Sequence, residues 1–232
     1  MTRCLITHPP AHPRAHPPAA RHLAVVSVMT LALLAAFGTV QAAPEALFQP
    51  AFQHFMQAAT GASAAIDKAA GEFATLSEAE PSNPVLRAYA GAALAMKAGT
   101  TMLPWKKMGY AEDGLAQIDK ALAMLAPAHD AALQHGTPGS LEVKYIAANT
   151  FLAVPGFMNR GARGAKLLNE VLASPLFGAA PLPFKGQVWM RAAALATREQ
   201  RGADARHYLN EVITQGAPQA EAARAKLKDV SA

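Results

Sequence analysis

The sequence predicts an all-α chain of about four stacked helix pairs plus a C-terminal capping helix, and three observations predict it. Apolar residues recur at steps of three and four along most of residues 46 to 229. The helices marked in this way come in pairs, separated by breaks at Gly, Pro, Ser and Asn. Alanine is abundant and only 6% of the 232 residues are aromatic, although 52% are hydrophobic, a composition suited to helices that approach closely. One helix pair cannot cover its own apolar face, so several must share burial side by side, which gives an elongated solenoid.

Residues 1–42 read as an export signal. Arg3, Arg14 and Arg21 supply a positive leader, Leu23 to Phe37 is an apolar run, and small residues precede an expected cleavage after Ala42. The run is short of the roughly 20 residues of a membrane span, so a removed signal fits better than its alternative, an uncleaved anchor. No twin-arginine pair is present, and general secretion to the periplasm is the expected route. Cys4, the single cysteine, leaves with the leader, so residues 43–232 are expected to hold together by packing alone, with neither disulfide nor thiol chemistry. The net charge of +5 also shrinks, because the leader holds three of the 21 basic and none of the 16 acidic residues. The remainder is nearly neutral and lacks the dense basic patch that nucleic acid requires.

The first pair places Leu47, Phe48, Ala51, Phe52 and Phe55 on one helix ending near Gly61. Ile66, Ala69, Ala70, Phe73 and Leu76 mark its partner, with Ser63 as expected N-cap. Glu80-Pro81-Ser82-Asn83-Pro84 then breaks the chain, with Asn83 as N-cap and Pro84 at the first helical position. The second pair carries Leu86, Tyr89, Ala90, Ala93 and Leu94, followed from about Ala111 by Leu115, Ile118, Leu122 and Leu125. In the third, Ser140 is the expected cap for Val143, Ile146, Ala147, Thr150 and Phe151, and the partner carries Leu167, Leu168, Val171 and Leu172. The fourth runs through Trp189, Ala192, Ala193 and Leu195, turns at Gly202, and continues through Tyr208, Leu209, Val212 and Ile213. A last helix from about Pro218 to Val230, mixed in charge, reads as a polar cap over the open end.

Gly91 in a first helix, Gly114 and Ala121 in its partner, and Pro127 after it form a pattern that recurs loosely as Trp189, Ala193 and Ala205. This pattern resembles the tetratricopeptide repeat, with the second and third units lengthened beyond the family's period of about 34 residues. The resemblance covers most of residues 46 to 229. It implies right-handed stacking and a concave protein-binding surface, and it carries over no catalytic residue.

Two stretches between paired helices stand out. Thr100 to Tyr110 contains Trp105, Lys106, Lys107 and Tyr110, and Val154 to Gly164 contains Phe157, Asn159, Arg160 and Arg163. Both fall at the same place in the repeat, so both are expected on one edge, where repeat proteins put binding loops. Aromatics beside cations suit interface anchors with orienting charges. The alternative is that Trp105, Tyr110 and Phe157 fold back to plug the longer connections, leaving the cations solvated.

Little else points to chemistry. No nucleophile elbow, phosphate loop, dinucleotide fingerprint or zinc-protease motif occurs. Gly161-Ala162-Arg163-Gly164 follows a helix and not a strand, although an anion could approach Arg160 and Arg163 at the next helix start. His129, Asp130 and His135 share one connection but fall short of the four ligands of a structural zinc site, so no metal and no cofactor is expected. His54 reads as a packing residue and His207 as solvent-facing, while Glu112-Asp113 reads as a helix-start pair favoured by the dipole. The expectation is therefore a non-catalytic periplasmic scaffold that holds a protein or peptide partner. The alternative is a small-ligand-binding accessory protein of an envelope transport system, with a void between alanine-rich faces.

Overall fold

The computed structural model describes residues 45–230, which belong to one compact unit. The expected signal, residues 1–42, and its cleavage site lie outside the described residues. The described chain is all-α apart from one short hairpin. Its helices are α1 Glu45–Ala59, α2 Ser63–Ala79, α3 Pro84–Lys97, α4 Pro104–Ala123, α5 Gly139–Ala153, α6 Gly161–Leu172, α7 Leu182–Arg198, α8 Gly202–Thr214 and α9 Ala220–Asp229.

The marked boundaries form for the reasons the residues suggest. Asn83 Oδ1 accepts from the amides of Val85 and Leu86, and Pro84 follows at the first helical position, where its missing N–H costs nothing. At the end of α1, Gly61 adopts φ +99°, a left-handed turn in which a side chain would be strained. The turn is so tight that Ser63 is already the first residue of α2 and does not cap it; Ala62 holds that position without a side-chain bond. Ser140 likewise lies inside α5, whose cap position is held by Pro138, and its hydroxyl donates instead to Asp130.

The two expected insertions are largely helical. α4 begins at Pro104 rather than near Ala111, because proline's fixed φ suits a first helical position and the following Trp-Lys-Lys-Met run sustains the helix. Trp105 to Tyr110 thus form its first two turns, and Glu112-Asp113 sit within the helix instead of at its start. In the other stretch, Gly156–Met158 form a 3-10 turn, Asn159 takes a left-handed conformation, and Gly161 to Gly164 make the first turn of α6. Between α4 and α5 the chain forms a 3-10 turn, Pro127–Asp130, and then a hairpin of β1, Ala132–Gln134, and β2, Thr137–Pro138. Its two-residue turn, His135-Gly136, has positive φ at both positions, as a tight hairpin of this kind demands.

Each helix packs on its chain neighbour, and α1 on α3 and α3 on α5 also touch. One apolar cluster runs from Phe48 in α1 to Ala223 in α9. At the α3–α4 crossing the two backbones meet at Gly91 and Gly114, the positions singled out by the repeat resemblance. Gly164 of α6 similarly leaves room only for Phe151 and Leu152 of α5.

Candidate functional site

The inner sides of α1, α3, α5 and α7 line a groove of about 1600 Å³. Helical spacing accounts for it: Glu142, Tyr145, Ile146, Asn149 and Ala153 of α5 all face it, successive turns of one side of the helix. Phe52, Met56, Met96, Phe184 and Met190 make its walls chiefly apolar.

At two places polar contacts hold buried charge at the groove wall, beside other polar lining residues such as Gln49, Lys107 and Gln187. At the first, Glu142, only 1% exposed, accepts a 2.6 Å hydrogen bond from the Tyr89 hydroxyl on Oε1. The hairpin delivers His135 to the same oxygen, with Nε2 at 3.1 Å, an ion-pair contact off the line of a hydrogen bond. The other carboxylate oxygen, Oε2, is buried and accepts no hydrogen bond from the described residues. The His135 ring is held between its partners by Phe48 and Phe52, with centroids 5.3 and 4.9 Å away. Burial works against protonation of His135, but the Glu142 carboxylate, helped by Glu45, outweighs it and holds the imidazole above its ordinary range. Burial and then Glu142 push the Tyr89 phenol well up, so Tyr89 stays a donor.

At the second place, Arg191 of α7 donates from Nη2 to the Asn149 carbonyl at 3.0 Å, and Arg198 donates to the Leu152 carbonyl. Both guanidinium groups thereby lie near the C-terminal end of α5, where a positive charge is favourable, and Arg198 satisfies a carbonyl of its last turn. Burial lowers the Arg191 pKa, and its Nε has no hydrogen-bond partner among the described residues. Tyr145 beside it is pushed up to about 12 by burial, with Arg191 pulling the other way.

The expected anchors divide between groove, rim and packing. Lys107 and Phe157 line the groove, together with Met108 and Met158. Trp105 and Lys106 stand outside it, the indole 69% exposed and the lysine exposed as well. Tyr110 is half-buried, with Lys97 Nζ 5.3 Å from its ring centre. Asn159 is exposed at the left-handed turn. Arg160 and Arg163 converge on Asp119 of α4 and lie over the Phe151 ring, 5.4 and 5.1 Å from its centre, so their charge is used to fasten the start of α6.

Comparison with protein-family models, with curated proteins and with solved structures found no match. His129 and His135, neighbours in sequence, part company: His129 Nδ1 accepts from the Ala126 amide, while His135 turns to Glu142. Among the described residues no group of three or more His, Cys, Asp or Glu side chains is arranged to hold a metal ion. His54 pairs with Glu72 at 2.8 Å, and His207 is exposed. Glu142 and Arg191 were not singled out from the sequence. Nothing local sets either apart, since Glu142 lies in the first turn of α5 and Arg191 is one of many cations.

Proposed function

We propose that this chain is an exported, non-catalytic helical-repeat scaffold of the bacterial envelope that holds an apolar segment of a protein partner along the groove. Its helix pairs stack as a right-handed superhelix of the tetratricopeptide kind, with α9 as the closing cap. The packing of α1 on α3 and of α3 on α5, each through the first helix of a pair, supports this arrangement.

The observation that carries the binding assignment is the size of the groove. At about 1600 Å³ it exceeds the roughly 300–1,000 Å³ of small-molecule sites and suits a helix or extended peptide. Methionines 56, 96, 158 and 190 line it, and their unbranched side chains adapt to an irregular apolar surface. A photo-crosslinking residue at Ala194, exposed within the groove, tests the assignment against the same residue at Lys166, exposed on α6 and outside it. In intact envelopes a discrete protein adduct is expected from Ala194 and none from Lys166; equal labelling from both, or none from Ala194, would sink the assignment.

A second reading, a small-ligand-binding accessory protein of an envelope transport system, draws on Glu142, His135 and Arg191 set into apolar walls. Native mass spectrometry separates the two, since a co-purified small molecule would favour this one.

A further inference from the structure

Among the described residues, large apolar side chains that are well exposed concentrate in one region. Met102, Leu103, Trp105 and Met108 lie at the start of α4 and Phe157 in the turn before α6, while Leu47 lies apart. Met102 is 93% exposed and Phe157 68%. Met108 stands one turn from Trp105 on α4, and it shares with Phe157 and Met158 a shallow depression also lined by Glu112 and by Asp119, the latter neutralised by Arg160 and Arg163, so the two stretches form one patch.

Some cations of the described residues are tied to carboxylates and others are not, and the two lysines of the patch are of the second kind. Lys97, Lys144, Arg160, Arg163, Arg201 and Arg224 each have a carboxylate partner. Lys106 and Lys107 are exposed beside Trp105, and among the described residues neither has a carboxylate within 4.0 Å.

We infer that this patch docks the protein on an anionic phospholipid surface. An aliphatic tip, an indole and two unpaired ammonium groups match the successive layers of a bilayer interface. Met102 and Leu103 reach the acyl boundary, the Trp105 ring lies at headgroup level with its N–H toward water, and the lysine stems bend so that the charges meet phosphates. Docking is peripheral, since among the described residues no helix is long and apolar enough to cross a membrane. Lys107, Met108 and Phe157 also line the groove, so the docked protein opens its groove beside the lipid.

The test uses the full chain carrying Trp189→Phe, so that Trp105 is its one remaining tryptophan. Emission is recorded with vesicles of phosphatidylcholine alone or mixed with phosphatidylglycerol, with and without brominated acyl chains. On the anionic vesicles Trp105 emission is expected to move to the blue and to be quenched by bromine. The quench is expected to fall by about half or more in Lys106→Gln/Lys107→Gln at unchanged circular dichroism, given the factor of about five that one lysine near an anionic surface contributes. A leader that merely tethers the chain would leave Trp105 in water and unquenched. Water-like emission on anionic vesicles, equal quenching on neutral ones, or equal quenching of the double lysine variant would each overturn the inference.

Discussion

Gly91 of α3 and Gly114 of α4 meet so closely that a Cβ on either would come within 2.6 Å of the other's carbonyl oxygen. That contact sets the separation of the two helices. The obstructing atoms are backbone, so neither residue can grow without moving a helix.

Alanine at either glycine is therefore expected to destabilise the protein by about 1–3 kcal/mol, the usual range for overpacking, even though alanine is the better helix former by about 1 kcal/mol. Gly71 supplies the control. It lies exposed on α2 with nothing near its missing Cβ, so Gly71→Ala is expected to stabilise by about 0.5–1 kcal/mol. Urea unfolding midpoints that shift in the same direction for Gly91→Ala and Gly71→Ala would contradict the close crossing.

Asn83 is buried, and its side chain serves two amides of α3 while its own Nδ2 donates to Glu80. Asn83→Ala removes the cap and leaves those amides unpaired in a dry site. A loss of about 1–2 kcal/mol is expected, with Asn83→Ser losing less because it keeps a neutral acceptor for the helix amides.

The His135–Glu142 pair makes stability depend on pH in a definite direction. His135 titrates above the ordinary imidazole value of 6.5 in the folded protein, so the folded state binds its proton more tightly than the unfolded one. Its contribution is complete below the unfolded value and disappears as pH rises through the raised one. Denaturation of wild type and His135→Gln is thus expected to differ more at pH 5.5 than at pH 9. A difference that is constant or grows with pH would show that His135 acts only through its ring contacts with Phe48 and Phe52.

Trp105→Ala with Phe157→Ala separates folding from binding. Both side chains are mostly exposed, so the double variant is expected to unfold within about 0.5 kcal/mol of wild type. Crosslinking pull-downs from envelopes are expected to recover less partner or less membrane-associated protein. Recovery identical to wild type would remove the rim from any binding role.

Several junctions were legible because their signals are local. Asn83-Pro84 states a cap and a first helical residue within two positions, and Leu115, Ile118 and Leu122 state a face without reference to the rest of the chain. Local signals also misled. Trp105 to Tyr110, with a proline before it and a basic pair inside, reads as a loop until Pro104 is seen to open the helix. The hairpin at Ala132 to Pro138 leaves little trace in the sequence, because His-Gly is a weak turn signal and its strands are three and two residues long.

Helical periodicity and small residues by themselves determined that this chain is helical and paired, and where Gly91 and Gly114 would fall, because a helix writes its buried face into steps of three and four. Only the tertiary structure decided what lies in the groove. Glu142 meets Tyr89 across 53 residues and Arg191 meets Asn149 across 42, separations over which no local pattern can signal a contact. The same long-range packing gave Arg160 and Arg163 to Asp119 while leaving Lys106 and Lys107 unpaired, since charge alone does not say which carboxylate the fold will bring near.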